Sequence, residues 1–199
     1  MKPARIVHLV AHRGNAREFP ENTLPALQSA LDLGARFLEI DTHLSSDGVP
    51  VVIHDADLAR TTGATGNVFD KPVAELVNTE AAERQRFGAQ YAGTCIPTLA
   101  DAARLLDDRP EVTLFVEVKR ASLARFGHDQ VVPQVLDGLR AAGLQDVPVI
   151  LGGIIPEQDA RTLTDAGISA VFTPKDYDLT TVMTRVLGVI RESKDLEPV

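Results

Sequence analysis

The sequence predicts an α/β protein whose strands form a mainly parallel sheet or barrel. Short apolar segments alternate with amphipathic segments of helical spacing, which gives six β-α units along the 199 residues. Each of the first three strand-like segments also ends in polar residues. Because α/β folds carry their chemistry at the carboxyl ends of strands, we expect a functional site along that edge.

The composition excludes several classes of protein. A formal net charge of -8 argues against nonspecific binding to nucleic acids or anionic membranes. The single cysteine, Cys95, rules out an internal disulfide and fits a reducing compartment. No apolar segment has the length of a secretory signal or a membrane span. We therefore expect a soluble globular protein of the cytoplasm.

The first three strands are predicted from apolar or alternating runs. A buried strand at 5–11 is followed by His12-Arg13-Gly14, the run 36–44 alternates apolar with polar residues, and the run 50–55 ends in His54-Asp55. Leucines at helical spacing between the first two strands predict a helix. Its N-cap is either Asn22 or Thr23.

The rest of the chain continues the same pattern after an interruption. Residues 56–97 are rich in turn sequences, with one weakly helical patch at 73–86, and are predicted to form an insertion over the strand ends. Thr98 is predicted to cap the next helix. The later strands are predicted at 113–119, 148–153 and 170–173, and the later helices at 99–108, 130–142, 156–167 and 180–192.

Two carboxylates in the second strand indicate a metal site. Glu39 and Asp41 are two residues apart, so both side chains point to one side of the strand, roughly 7 Å apart along the chain. Such a pair repels unless a cation or shared protons compensate the charge. Oxygen ligands of this kind suit Mg²⁺ or Ca²⁺. On this evidence alone, a solvated strand face is the alternative.

Polar side chains at the other strand ends extend this site. Two histidines can serve as general acid and base, and an arginine and a lysine supply positive charge for a phosphate. With a metal ion, such a set favours phosphodiester hydrolysis over acyl transfer or redox chemistry. Each histidine taken singly is also consistent with a hydrogen-bonded structural role. The residues predicted to converge are His12, Arg13, Glu39, Asp41, His54, Glu117 and Lys119.

The first two-thirds of the chain resembles the glycerophosphodiester phosphodiesterase family, which has a TIM-barrel fold. The similarity covers about residues 6–140 and is carried by AHRGN, PENT, FLEIDTHLSSDG, VVIHDADLARTTGATG, IPTL and FVEVK. It implies metal-dependent hydrolysis of glycerophosphodiesters to an alcohol and glycerol phosphate, with one Mg²⁺ or Ca²⁺. The implied metal ligands are Glu39, Asp41 and Glu117. The implied acid and base are His12 and His54, and the implied phosphate-binding cations are Arg13 and Lys119.

The C-terminal segment resembles a different protein. Its elements PVILGGIIP and DAGISAVFTP and its closing helix are similar to the end of the cobalamin-binding domain of methylmalonyl-CoA-mutase-type proteins, which has a flavodoxin-like fold. The cobalt-ligating histidine motif of that domain lies in its earlier half, which has no counterpart in this sequence. Cobalamin binding is therefore not expected, and Gly152-Gly153 is interpreted as a tight turn.

The chain is thus predicted as one α/β domain of mixed ancestry. Residues 1–140 form a partial TIM-barrel part with its insertion, residues 141–199 form the flavodoxin-like part, and the junction lies near 139–147. The alternative to a working hydrolase is an engineered (de novo) or recombinant chimera with no physiological activity. Six strands are too few for an eight-stranded barrel. We expect either an open or partly rolled sheet or a C₂ homodimer that covers the strand edges.

Overall fold

A computed structural model describes residues 9–145, 147–152, 155, 157–165, 167–173, 175–176 and 178–192. The chain divides into two compact units, Met1–Gly143 and Leu144–Val199. Of the first strand predicted at 5–11, only the last residues are among those described, where β1 comprises Val10–His12.

The first unit alternates strands with helices and carries several short helices between β3 and β4. Its other strands are β2 (Phe37–Leu44), β3 (Pro50–Val52) and β4 (Thr113–Val118). Its helices are α1 (Leu24–Asp32), α2 (Ala59–Thr62), α3 (Val73–Leu76), α4 (Arg84–Phe87), α5 (Leu99–Arg104), α6 (Arg120–Phe126) and α7 (His128–Ala141), with a 3₁₀ helix at Val68–Asp70.

Strand β2 is the centre of the sheet. It runs parallel to β1, with His12 opposite Glu39, and parallel to β4, with Asp41 opposite Glu117. Its face opposite these carboxylates is buried at Leu38 and Ile40. The period-two pattern of the sequence therefore corresponds to one core face and one polar face.

Strand β3 corrects the expectation of a purely parallel order. It pairs antiparallel with the end of β2, with Thr42 opposite Val52. The two strands are joined by a tight turn in which the Ser45 N–H donates to the Val49 carbonyl, 3.0 Å away, and Gly48 has φ 81°. A parallel connection needs a crossover of about a dozen residues or more, which this short link does not provide.

The helix starts show which capping predictions hold. Thr23 caps α1, because its hydroxyl accepts the Ala26 N–H, and this decides between the two predicted caps. Thr98 caps α5 in a capping box with Asp101. Helix α6 was not predicted. It begins directly after Lys119 without a side-chain cap, so its start carries no sequence signal.

The insertion at 56–97 has a hydrophobic cluster that also includes β3. In place of the single weak helix predicted at 73–86, short helices are joined by turns. A bridge between Glu80 and Cys95 closes the later half of the insertion. The buried residues of this cluster are Val51, Ile53, Leu58, Val68, Leu76, Ala81 and Ile96.

The second unit repeats the strand-helix order. It contains β5 (Ile150–Gly152), α8 (Glu157–Asp165), β6 (Ala170–Phe172) and α9 (Leu179–Glu192), and β5 pairs parallel with β6. Of the predicted turn Gly152-Gly153, Gly152 is instead the last residue of β5, while Gly153 and the predicted helix start Pro156 lie outside the described residues. None of the helices in the described part of the chain has the length and apolarity that a membrane span requires.

Candidate active site

Three carboxylates meet on the polar face of the sheet in the first unit. Glu39 and Asp41 come from β2, and Glu117 comes from β4, where it lies opposite Asp41. One oxygen of each residue lies within 4.8 Å of the others. These three residues, here called the acid cluster, are therefore brought together by strand register and two-residue spacing.

Asp41 forms the buried side of the acid cluster. Its Oδ2 accepts a hydrogen bond from Asn22 Nδ2 at 2.8 Å and lies 2.9 Å from Arg13 Nε, while Lys119 Nζ donates to Oδ1 at 3.1 Å. Burial alone would raise the pKa of this carboxyl. The hydrogen bonds from Asn22 and Lys119, with the charges of Lys119 and Arg13, outweigh burial and lower the pKa. Asp41 is therefore held ionised.

The pKa of Glu39 shifts in the direction opposite to that of Asp41, although the two residues are only two positions apart. Its Oε2 accepts the Arg13 backbone N–H at 3.1 Å and lies 3.7 Å from His12 Nε2. Burial and the neighbouring charge of Asp41 raise the pKa of Glu39. Within the described ranges, its Oε1 is buried and has no hydrogen-bond partner. A cation on this oxygen would relieve both conditions, so the residues fit a bound divalent metal ion.

The exposed side of the acid cluster consists of Glu117 and His12. Their side chains are 56% and 64% exposed. Lys119 Nζ lies 2.7 Å from Glu117 Oε1 and so joins this side to Asp41. Burial opposes the charge of Lys119, but the two carboxylates outweigh it and raise the pKa of the ammonium group. Positive charge is thus fixed at the cluster.

A strained loop places Arg13 and Asn22 beside Asp41. Both residues have φ 58°, in the left-handed region that non-glycine residues rarely adopt. The Asn22 N–H donates to the Arg13 carbonyl at 3.1 Å. Gly14 follows, with φ 78°, and a Cβ there would lie 2.6 Å from the Ala26 carbonyl carbon. The loop therefore lies directly on the first turn of α1, and only glycine fits at this approach.

His54 connects to Asp41 through a chain of charged groups. Its Nδ1 lies 2.6 Å from Asp55 Oδ1, and Arg60 bridges Asp55 to Glu21. Glu21 Oε1 also lies 3.1 Å from Arg13 Nη1, which leads back to Asp41. Burial would raise the pKa of Glu21, but the hydrogen bonds and charges of the two arginines lower it. Opposite charges therefore alternate from Asp55 to the acid cluster.

Two residues of the insertion contact the segment that carries Glu21. Glu83 Oε1 accepts the Glu21 N–H at 2.6 Å, and Glu83 Oε2 lies 2.6 Å from Arg86 Nη1. Arg86 also donates to the Ala16 carbonyl at 2.8 Å. The loop before α1 is thus fixed by residues that lie far along the sequence.

Four residues of this arrangement were not predicted as part of the site. Asn22 was considered only as a helix cap, and Asp55 was noted only as the end of a strand. Glu21 and Arg60 are 39 residues apart, and no local pattern indicates that they pair. The residue pair His54-Asp55 was the one available signal, because adjacent histidine and aspartate can hydrogen-bond.

Part of this chain is similar to a mutase. Half of this chain is 38% identical, over 100 residues, to the ethylmalonyl-CoA mutase of Cereibacter sphaeroides, and the match covers 14% of that enzyme. Such a partial match does not establish a cobalamin-binding domain. The flavodoxin-like origin of the C-terminal part stays a prediction.

The chain is also similar to phosphodiesterases. The glycerophosphodiester phosphodiesterase of Caldanaerobacter subterraneus is 39% identical over 111 residues, which are 56% of this chain and 44% of the relative. A phosphodiesterase of Oleispira antarctica, solved in complex with the product sn-glycerol-3-phosphate, is 25% identical with a TM-score of 0.63. That match covers 92% of this chain and 81% of the other. The sequence model of the glycerophosphoryl diester phosphodiesterase family matches residues 12–141, so this chain belongs to that family.

Proposed function

We propose that this chain hydrolyses glycerophosphodiesters to an alcohol and glycerol phosphate, with one divalent cation bound by the acid cluster. The observation that carries the proposal is the approach of three carboxylates to within 4.8 Å of one another. Family membership and the product bound to the Oleispira relative support the same substrate class. Because the chain spans 44% of its Caldanaerobacter relative, its own activity has to be measured.

The proposed metal ligands are Glu39, Asp41 and Glu117. A divalent cation bound there supplies a Lewis acid that polarises a phosphoryl oxygen. Asp41 is held ionised, and the buried Oε1 of Glu39 is available as a ligand. Oxygen ligands alone suit both Mg²⁺ and Ca²⁺, so both ions enter the test.

The proposed acid and base are His12 and His54. An imidazole titrates near neutral pH and can both take and give a proton. Asp55 binds Nδ1 of His54, which leaves Nε2 as the nitrogen for the substrate. Arg13 and Lys119 are proposed to stabilise the phosphate, because both cations already lie at the acid cluster and each side chain keeps an exposed portion.

The test is turnover of glycerophosphocholine with Mg²⁺, with Ca²⁺ and with a chelator. We expect turnover only with a metal ion, and losses of roughly 10²- to 10⁴-fold in His12→Ala and His54→Ala. Arg104→Gln is the control, because Arg104 is exposed and pairs with Asp101 on α5. Equal rates with the chelator would contradict the metal site, and near-full rates in both histidine variants would contradict their roles.

For residues 141–199, which include the whole second compact unit, we infer a flavodoxin-like origin, either engineered or by recombination. The parallel pairing of β5 with β6, each followed by a helix, supports this origin. Among the described residues, β1 and β4 pair with β2 alone, so each leaves one edge unpaired, and we propose that a C₂ homodimer covers these edges. The cytoplasmic location also stays a prediction.

A further inference from the structure

His43 is a buried histidine outside the proposed catalytic set. It lies on β2 and is 2% exposed. Both ring nitrogens have partners: Nδ1 lies 2.9 Å from Ser122 Oγ, and Nε2 lies 3.1 Å from the His54 carbonyl oxygen. The second contact joins this buried ring to the backbone of a proposed catalytic residue.

The hydrogen bonds around His43 define one neutral tautomer. A carbonyl oxygen can only accept, so Nε2 carries the proton that bonds to His54. Ser122 Oγ accepts the Leu44 N–H at 3.2 Å, which leaves the hydroxyl hydrogen for Nδ1. Every polar group in this arrangement is then satisfied without a charge on the imidazole.

The same ring connects two sides of the proposed site. Ser122 lies in the first turn of α6, where its N–H donates to the Lys119 carbonyl at 2.9 Å. His54 belongs to the segment that follows β3. His43 therefore fixes the backbone of His54 relative to the start of α6, which directly follows Lys119.

We propose that His43 is a positioning residue for His54. Its Nε2–H holds the His54 peptide so that the His54 ring keeps its Nδ1 on Asp55 and leaves Nε2 for substrate. The catalytic consequence rests on the proposed function, whereas the orientation of His54 does not. The competing view is that His43 only fills space beside Phe69, whose ring meets it edge-on with centroids 5.3 Å apart.

Four variants separate these two roles. His43→Gln keeps an amide N–H near the position of Nε2, while His43→Asn is shorter and His43→Leu has no donor. Phe69→Leu is the matched control, because it removes the packing beside His43 and none of the hydrogen bonds. The Asn variant keeps the test decisive if the Leu variant fails to fold.

The direct readout is the tautomer of His54 in the full chain. Long-range ¹H–¹⁵N spectra of ¹⁵N-histidine protein are recorded near pH 8 with a chelator, and His54→Ala assigns the signals. We expect the Nδ1–H form in wild type, His43→Gln and Phe69→Leu, and a mixture of tautomers in His43→Asn and His43→Leu. An unchanged His54 signal in the Asn and Leu variants would overturn the proposal.

Kinetics give a second readout. We expect kcat for glycerophosphocholine to fall about tenfold or more in His43→Asn, with KM and metal affinity within about twofold, and to recover in His43→Gln. A loss of metal affinity that parallels the loss of kcat would show that His43 acts through β2 and the acid cluster, which would overturn the proposal. If the wild type shows no turnover, the proposed function fails and the tautomer measurement still decides the role of His43.

Discussion

The buried and exposed sides of the acid cluster use the same ligand chemistry in different surroundings. Asp41 is fully buried and contacts Asn22, Arg13 and Lys119. The side chain of Glu117 is 56% exposed and contacts the ammonium group of Lys119. Asp41 is therefore expected to stabilise the fold as well as to bind the metal ion, whereas Glu117 is expected to contribute to metal binding alone. Substitution of Glu117 should therefore lower metal affinity and leave stability almost unchanged. Substitution of Asp41 should lower both.

Asp41→Asn is expected to have the largest effect. Removing the carboxylate leaves Arg13 and Lys119 without their buried counter-charge, so we expect a loss of about 3 kcal/mol in the free energy of unfolding. Metal affinity should also fall by at least about an order of magnitude. Urea denaturation with a chelator measures the first quantity, and calorimetry with Mg²⁺ and Ca²⁺ measures the second.

A stable Asp41→Asn protein would contradict the stabilising role of Asp41. If its unfolding free energy equalled that of the wild type, solvent and the other partners of the two cations, Glu21 and Glu117, would suffice to stabilise them. Calorimetry that showed unchanged metal binding would instead remove Asp41 from the proposed ligands.

The acid cluster could be predicted from sequence because strand geometry is local. Glu39 and Asp41 alternate with Leu38 and Ile40, and this pattern alone places both carboxylates on one face. Glu117 was placed with them from the apolar run that precedes it and from family resemblance. Its partner on β2 depends on register, which only the structure provides.

The support around the cluster could not be predicted, because it depends on distant pairs. Asn22 reaches Asp41 across 19 residues, and His43 reaches Ser122 across 79. The antiparallel pairing of β3 was missed because alternation along a strand carries no information on its direction. Helix α6 was missed because it has no side-chain cap and follows a strand directly.

The pH dependence of stability should distinguish Glu39 from Asp41. The pKa of Asp41 is lowered in the folded state, so its stabilisation is present above its usual value of about 3.9 and is lost as the pH falls through the folded pKa. The pKa of Glu39 is raised, so its protonated form favours folding, and that contribution is lost as the pH rises from about 4.3 through the folded pKa.

Unfolding free energies of wild type, Glu39→Gln and Asp41→Asn, measured across this pH range with a chelator, test these signs. We expect the unfolding free energy of Glu39→Gln to increase relative to that of the wild type as the pH rises, because glutamine stays neutral. The deficit of Asp41→Asn should shrink as the pH falls below about 4. Parallel pH curves for both variants would show that the two carboxylates share one environment.

Glu117→Gln is expected to have the smallest effect on stability and a clear effect on metal binding. Exposed ion pairs contribute little to folding, so its unfolding free energy should stay within about 0.5 kcal/mol of the wild type. Glu75→Gln is the matched control, because Glu75 is 52% exposed and also pairs with a lysine, Lys71. Metal affinity should fall about tenfold or more in Glu117→Gln and stay unchanged in the control. Equal affinities in the two variants would show that Glu117 is an ordinary surface carboxylate, and the proposed site would then consist of β2 ligands alone.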